Sequence, residues 1–163
     1  PRSGGYTEDS DESQDVVDRL LVKWETARQI VPAAEIRYST FNKAAILSVG
    51  SSDGACTEAL DRLEAQKISM NYCRVRAFPF DDAVREFIEQ HEVVYVVEQN
   101  RDAQLRTLLM LDCDADPAKL VSLLHYNGLP LHAGFGVDRV LEDRSKGQGA
   151  GGMSRTPKSH ITA

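Results

Sequence analysis

The sequence predicts an α/β protein: a three-layer α/β/α sandwich with helices on both faces of a mostly parallel sheet. Strand-like and helix-like apolar patterns alternate at least three times along the chain, with short connections between them. The strand-like runs contain few polar residues, which is typical of strands buried on both faces. Parallel neighbours require crossover connections, and the intervening helices supply them.

The first element is predicted to be an amphipathic helix over residues 11–31, ended by Pro32. Its apolar positions recur at helical spacing and comprise Val16, Val17, Leu20, Leu21 and Trp24. We interpret residues 1–32 as a Gly-, Ser- and acid-rich linker followed by this helix, which lies on its own domain or on a partner. Because the chain begins with Pro1, we expect it to be the tail portion of a longer protein.

Residues 33–141 are interpreted as the α/β domain. Strands are expected at residues 44–50, 68–75, 93–98 and 122–126, and helices at residues 51–66, 82–91, 103–111 and 116–120. Asp81 is a predicted N-cap, and Pro117 suits the first turn of the short last helix. Residues 35–41 alternate in polarity and predict an edge strand of undetermined direction.

The end of the chain departs from this pattern. Gly134 and Gly136 fall in residues 131–140, where each glycine would cost a helix about 1 kcal/mol, so we expect a frayed helix. Residues 142–163 are rich in Gly, Ser and Lys and are predicted to be a disordered tail. A basic functional arm is the minor alternative.

Composition excludes several classes of protein. The net charge of −6 argues against a nucleic-acid partner, and no apolar run approaches the roughly 18 residues of a membrane span. Cys56, Cys73 and Cys113 are widely separated and form no CxxC, so neither a zinc site nor an iron–sulfur site is expected. Unpaired cysteines favour a cytoplasmic location.

The first strand-to-helix turn, residues 50–54, contains neither GxGxxG nor a phosphate-binding loop. Ser51, Ser52 and Asp53 form a possible weak anion site, although capping of the following helix is the favoured interpretation. The four histidines lack metal-ligand spacing. No nucleophile has a local base, so no catalytic residue and no metal site is predicted.

A second polar cluster follows the strand at residues 93–98, where ligands of parallel sheets gather. We predict an interface or positioning role for its side chains and for two arginines of the preceding strand: Glu98, Asn100, Arg101, Gln104, Arg74 and Arg76. A structural role stays open, with Asn100 capping the next helix and Glu98 ending the strand at a charged partner. For the two arginines, ordinary salt bridges are favoured over the binding of a phosphate or carboxylate.

Residues 75–109 resemble the C-terminal part of the alpha subunit of 2-oxoacid:ferredoxin oxidoreductases, most closely the 2-oxoglutarate type. The most specific block is "VVEQNRDAQL", and the resemblance covers about residues 1–141. Three further segments share it, namely the opening "PRSGGYTEDSDESQDVVDRL", "LSVGSSDGACTEAL" and "HYNGLPL".

The resemblance implies the fold of a transketolase C-terminal domain, with a mixed five-stranded sheet and one antiparallel edge strand. It also implies a part in the oxidative decarboxylation of a 2-oxoacid, in which coenzyme A takes the acyl group and ferredoxin takes the electrons. Thiamine diphosphate, its magnesium and the iron–sulfur clusters are then expected in the beta subunit, in an upstream pyrimidine-binding domain or elsewhere in the complex. This chain alone would bind no cofactor and be inactive, serving subunit assembly and the surroundings of the thiamine site.

The alternative is a stand-alone α/β module that binds a small molecule or regulates, using the turn at residues 50–54. An assembly domain should instead expose an apolar face around Val17, Leu21 and Trp24.

Overall fold

The computed structural model describes residues 3–39 and 43–149. Its helices are α1 (Ser10–Ile30), α2 (Asp53–Ala65), α3 (Asp82–Glu89), α4 (Gln104–Asp112) and α5 (Ala133–Gly149). Its strands are β1 (Glu35–Arg37), β2 (Ala44–Val49), β3 (Asn71–Val75), β4 (Val93–Glu98) and β5 (Leu120–Leu124). A short 3-10 turn over Gly50–Ser52 joins β2 to α2.

The five strands form one sheet in the order β1-β3-β2-β4-β5. Four of them are parallel, and β1 runs antiparallel to β3, with Ile36 opposite Cys73. The predicted mixed sheet and its reversed edge strand are therefore confirmed, although residues 40 and 41 of the predicted edge strand lie outside the described residues.

Two cores cover the faces of the sheet and produce the three layers. Successive residues of β2 point to opposite faces, so Ile46 packs in one core and Leu47 in the other. The first core includes Ala59 and Leu63 of α2 with Val137 and Val140 of α5. The second is completed from α3 and α4 by Val84, Phe87, Leu105 and Leu109.

The short helix expected at residues 116–120 is wrong. Asp116 instead holds a tight turn, in which its side chain accepts a hydrogen bond from the Ala118 amide at 2.8 Å and its carbonyl accepts one from Lys119 at 3.1 Å. The chain then enters β5 at Leu120, before the predicted start, because Leu120 pairs with Val94.

The expected fraying of the last helix is also wrong. Helix α5 is continuous to Gly149, so it extends past the tail boundary predicted at residue 142; residues 150–163 lie outside the described residues. A Cβ atom at Gly136 would lie 3.3 Å from the Cβ of Ala59, so the glycine lets α5 approach α2 closely. The division of the chain at residue 32 stays a prediction.

Helix α1 is attached to the domain near its C-terminal end, and none of its residues is buried. The Arg28 guanidinium donates two hydrogen bonds of 2.9 Å to the Asp112 carboxylate and a further one to the Phe80 carbonyl. Trp24 packs edge-to-face on Phe78, with 5.1 Å between ring centroids. Burial alone would raise the pKa of Asp112, but hydrogen bonds from Arg28 and the Phe80 amide outweigh it and hold that pKa below its ordinary value.

Substituting Gly136 tests the close approach of α5 to α2. We expect Gly136→Leu to lower the free energy of unfolding by about 1–3 kcal/mol, because the new side chain must displace Ala59. Gly54→Leu is the matched control, since a Cβ there meets no atom within 4 Å. Urea denaturation measures both, and equal losses for the two variants would contradict the packing argument.

Undocking of α1 can be followed through Trp24, the only tryptophan of the chain. Arg28→Ala should shift its fluorescence to the red, since Trp24 loses its packing on Phe78 when the ion pair between Arg28 and Asp112 is removed.

The same ion pair makes the docking of α1 depend on pH. In the unmodified protein it is stabilising above the unfolded pKa of Asp112, about 3.9, because the folded pKa of Asp112 is depressed. The same red shift should then appear as the pH falls through that folded pKa. Asp112→Asn should show a smaller pH-dependent change, and an unchanged pH profile would refute the role of this carboxylate.

Candidate functional site

A cavity of about 550 Å³ opens at the C-terminal edge of the sheet, between the segments that follow β2 and β4. The first segment leads to α2 on one face, and the second leads to α4 on the other face. Ligands of open α/β sheets bind where connections diverge in this way. The volume lies within the range of small-molecule pockets.

The cavity has an apolar part and a polar part. The apolar part is formed by Val49, Val75, Ala77, Phe78, Phe80, Leu105 and Leu108. The polar part contains six side chains singled out from the sequence, Ser51, Ser52, Arg76, Glu98, Asn100 and Gln104, together with Gln99. Three other candidates, Asp53, Arg74 and Arg101, do not line it.

Glu98 ends β4 and is 1% exposed. Its carboxylate accepts hydrogen bonds from the amides of Leu105 at 2.7 Å and Arg106 at 3.1 Å, and from the side chain of Asn100 at 2.7 Å. The expectation of a charged partner is wrong, because the N-terminus of α4 provides the positive end of a helix dipole instead. Glu98 therefore caps α4 from the preceding strand.

Asn100 completes this cap, as the structural alternative predicted. Its side-chain oxygen accepts hydrogen bonds from the amides of Asp102 at 3.0 Å and Gln104 at 3.3 Å. The residue at the N-cap position, Ala103, is left-handed with φ of 52° and has no side chain able to accept a hydrogen bond. Remote capping by Glu98 and Asn100 follows from that conformation.

Arg101 and Gln104, the other two residues of the polar cluster that follows β4, take no part in this cap through their side chains. Arg101 is exposed and bonds only to its neighbour Asp102, at 2.8 Å, among the contacts described. The side chain of Gln104 lines the cavity and makes no hydrogen bond within the described part of the chain. An interface or positioning role for this corner stays a prediction.

Arg74 and Arg76 both pair with Glu35 of β1. Their guanidinium nitrogens lie 3.2 Å and 3.3 Å from its two carboxylate oxygens, and Arg74 is also 3.6 Å from Asp53. These are the ordinary salt bridges favoured from the sequence. They attach the antiparallel edge strand to β3.

The turn after β2 is built differently from expectation. Ser52 precedes α2 in a helical conformation and makes no side-chain cap, so the favoured capping role is wrong. Asp53 instead accepts a hydrogen bond from the Tyr72 hydroxyl at 2.8 Å. Gly50 has φ of 63°, a left-handed conformation that admits glycine most readily.

Gln99 joins the two segments across the cavity and was not singled out from the sequence. Its side-chain nitrogen donates to the hydroxyls of Ser51 at 3.1 Å and Ser52 at 3.4 Å. The only sequence signal was its position between Glu98 and Asn100. Both hydroxyls act as acceptors in these contacts, so their O–H groups can still donate to an anion, and the weak anion site stays a prediction.

The three cysteines are buried, and none of them lines the cavity. Burial raises the pKa of the Cys56 and Cys113 thiols to about 11 and that of Cys73 to about 12, so all three stay protonated at neutral pH. Burial also raises the pKa of Tyr72. Across residues 3–39 and 43–149, no three His, Cys, Asp or Glu side chains are gathered as a metal ion would need.

Removing the cap tests whether the polar corner is structural. Glu98→Ala should lower the free energy of unfolding by about 2–4 kcal/mol, because two amides of α4 lose their acceptor, and Asn100→Ala by about 1 kcal/mol. Gln104→Ala is the control and should stay within about 0.5 kcal/mol of the parent. Chemical denaturation gives these values; a Glu98→Ala variant as stable as the control would exclude the capping role.

No family model matches the chain. It is 27% identical over 133 residues to the 2-oxoacid:ferredoxin oxidoreductase subunit alpha of Saccharolobus solfataricus, an alignment covering 78% of this chain. That alignment spans 21% of the relative, so the chain corresponds to about a fifth of its length. None of the helices in the described part of the chain is both long and apolar enough to cross a membrane.

Two solved structures share the fold. One is the 2-oxoglutarate:ferredoxin oxidoreductase of Magnetococcus marinus with 2-oxoglutarate, coenzyme A and succinyl-CoA bound; the TM-score is 0.74 at 20% identity, over 86% of this chain and 24% of that one. The other is a split-gene transketolase in an inactive tetramer, with a TM-score of 0.53 at 18% identity over 66% of this chain and 40% of that one. The resemblance read from the sequence is confirmed: the chain is similar to part of the alpha subunit of a 2-oxoacid:ferredoxin oxidoreductase and has a transketolase-like α/β fold.

Proposed function

We propose that the chain is the C-terminal portion of a 2-oxoacid:ferredoxin oxidoreductase alpha subunit, with 2-oxoglutarate as the favoured substrate. Its role is to hold subunits together and to shape the surroundings of the thiamine site during coenzyme A-dependent oxidative decarboxylation. The relationship to an alpha subunit and the shared fold support this proposal.

The observation that carries the assembly role is the composition of the cavity at the sheet edge. Its apolar part reaches the surface through Val49, Phe78 and Leu108, which are large exposed apolar side chains. Most of the polar side chains beside them are engaged in capping α4 or in joining the two segments, whereas that of Gln104 makes no hydrogen bond among the described residues. Apolar surface beside largely satisfied polar groups is typical of a contact surface.

The proposal assigns the cofactors to other parts of the complex. Thiamine diphosphate would accordingly be held by the beta subunit and by an upstream pyrimidine-binding domain, and it supplies the electron sink for decarboxylation. Ferredoxin and coenzyme A act at the level of the complex, in the cytoplasm.

A second candidate function is a stand-alone module that binds a small molecule. The position of the cavity where the connections diverge favours it, since such positions commonly hold ligands. The two functions differ in what fills the cavity: a side chain of a neighbouring subunit or domain in the first case, and a soluble ligand in the second.

Association with the beta subunit tests the proposed function. The alpha polypeptide that contains this chain is produced with the beta subunit, and 2-oxoglutarate- and coenzyme A-dependent reduction of ferredoxin is measured. Leu108→Asp should reduce copurification of the two subunits about tenfold or more, because it places a charge in an apolar contact. Leu111→Asp is the control: Leu111 is in the same helix and 77% exposed, but it does not line this cavity.

Two results would contradict the assembly role. One is equal copurification of the Leu108→Asp and Leu111→Asp variants with the beta subunit. The other is a rise of several degrees in the melting temperature of the isolated chain with a nucleotide or coenzyme A, lost in Leu108→Asp, which would favour the small-molecule module.

A further inference from the structure

A buried histidine connects the end of α3, the start of β3 and the segment that follows β1. His91 lies just after α3 and is 2% exposed, and Asn71, the first residue of β3, is 5% exposed. The two ring nitrogens of His91 contact the side chain of Asn71 and the backbone carbonyl of Phe87. Neither His91 nor Asn71 lines the cavity, so what they do is independent of the proposed function.

The groups around Asn71 fix both its orientation and the tautomer of His91. The Ser39 amide can only donate, and its nitrogen lies 2.7 Å from the side-chain oxygen Oδ1 of Asn71. The side-chain nitrogen Nδ2 of Asn71 therefore faces His91, and it donates to Nε2 of the ring at 2.8 Å. The Phe87 carbonyl can only accept, so Nδ1 carries the ring proton. These contacts require a neutral His91 with its proton on Nδ1.

We propose that His91, Asn71 and Ser39 form a proton-sensitive latch on the end of β1. A second proton, taken from solvent, makes Nε2 of the ring a donor that faces the donor Nδ2 of Asn71. The conflict ends when the Asn71 amide turns over, because Oδ1 then accepts a charge-assisted hydrogen bond from the ring. The same rotation turns Nδ2 toward the Ser39 amide, which loses its acceptor, and the segment after β1 is released.

The titratable side chains around His91 do not replace Asn71 as its partner. Those on the surrounding segments are Tyr38, Lys43, Cys73, Glu89, Glu92 and Lys119. Glu92 pairs with Lys43, and the Lys119 ammonium group donates to a backbone carbonyl at the end of α3. Within the described part of the chain, the ring nitrogens of His91 contact no charged side chain. Rotation of Asn71 is therefore the available response to a second proton.

Release at Ser39 frees one end of a very short edge strand. β1 has three residues and covers the edge of β3. At its other end Glu35 pairs with Arg74 and Arg76, and this attachment does not involve the latch. Acidification therefore loosens the C-terminal end of β1 and uncovers the first residues of β3, while the N-terminal end of β1 stays in place.

Nuclear magnetic resonance of the full chain tests the latch. At about pH 8, where an ordinary histidine is neutral, nitrogen–proton couplings should place the His91 proton on Nδ1. The Phe87 ring, 4.4 Å from the His91 ring between centroids, identifies the signals. The protection of the Ser39 amide against hydrogen exchange, corrected for the intrinsic effect of pH, should fall about tenfold at about pH 5, as expected for the loss of one hydrogen bond.

Two variants separate the latch from other effects of pH. Asn71→Asp should abolish the fall in protection, because one carboxylate oxygen accepts from Ser39 and the other accepts from the protonated ring. His132→Gln is the matched control and should keep the fall, since His132 is exposed and its ring packs near His125 instead.

Three results would overturn the proposal. They are a His91 proton on Nε2 at about pH 8, equal protection of the Ser39 amide at both values of pH, and an unchanged loss of protection in Asn71→Asp. The first two are measured on the unmodified chain, so they decide the question even where a variant fails to fold.

Discussion

The arrangement of the sheet edge depends on one buried carboxylate, that of Glu98. It ends the interior strand β4 and accepts hydrogen bonds from two amides in the first turn of α4, so one side chain fixes the strand and the helix relative to each other. The backbone carbonyl of the same residue accepts a hydrogen bond from the amide of His125, just after β5. A charge this deeply buried is tolerable because the helix N-terminus and Asn100 solvate it in place of water. The wall of the cavity follows from this constraint.

The same constraint limits how accessible this carboxylate is. Its oxygens accept hydrogen bonds from two amides of α4 and from the side chain of Asn100, so another group could reach them only by displacing part of the cap. Gln99, the next residue, donates hydrogen bonds to the hydroxyls of Ser51 and Ser52 on the segment that follows β2. These contacts hold the two segments together beside the apolar part of the cavity.

Much of the fold could be predicted from the sequence because its strands are short, apolar and separated by well-marked helices. The cap at Asp81 followed from local chemistry in the same way, and its side chain does accept from the Val84 amide. The errors arose where distant residues decide the outcome. Gly136 looked unfavourable for a helix by propensity, yet its lack of a Cβ is what packing against Ala59 requires. The partners of Glu98 and Gln99 were equally invisible, because each contact joins segments that only the folded sheet brings together.

The reversal of β1 has a consequence for how the chain enters the domain. Because β1 is antiparallel, its first residue, Glu35, lies beside Arg74 at the C-terminal end of β3 rather than at the start of the sheet. Helix α1 immediately precedes it and rests on Phe78, which lines the cavity. The three-residue strand β1 thus sets where α1 meets the domain. That point lies at the same end of the sheet as the cavity, so a polypeptide joined through α1 would reach the domain at that end.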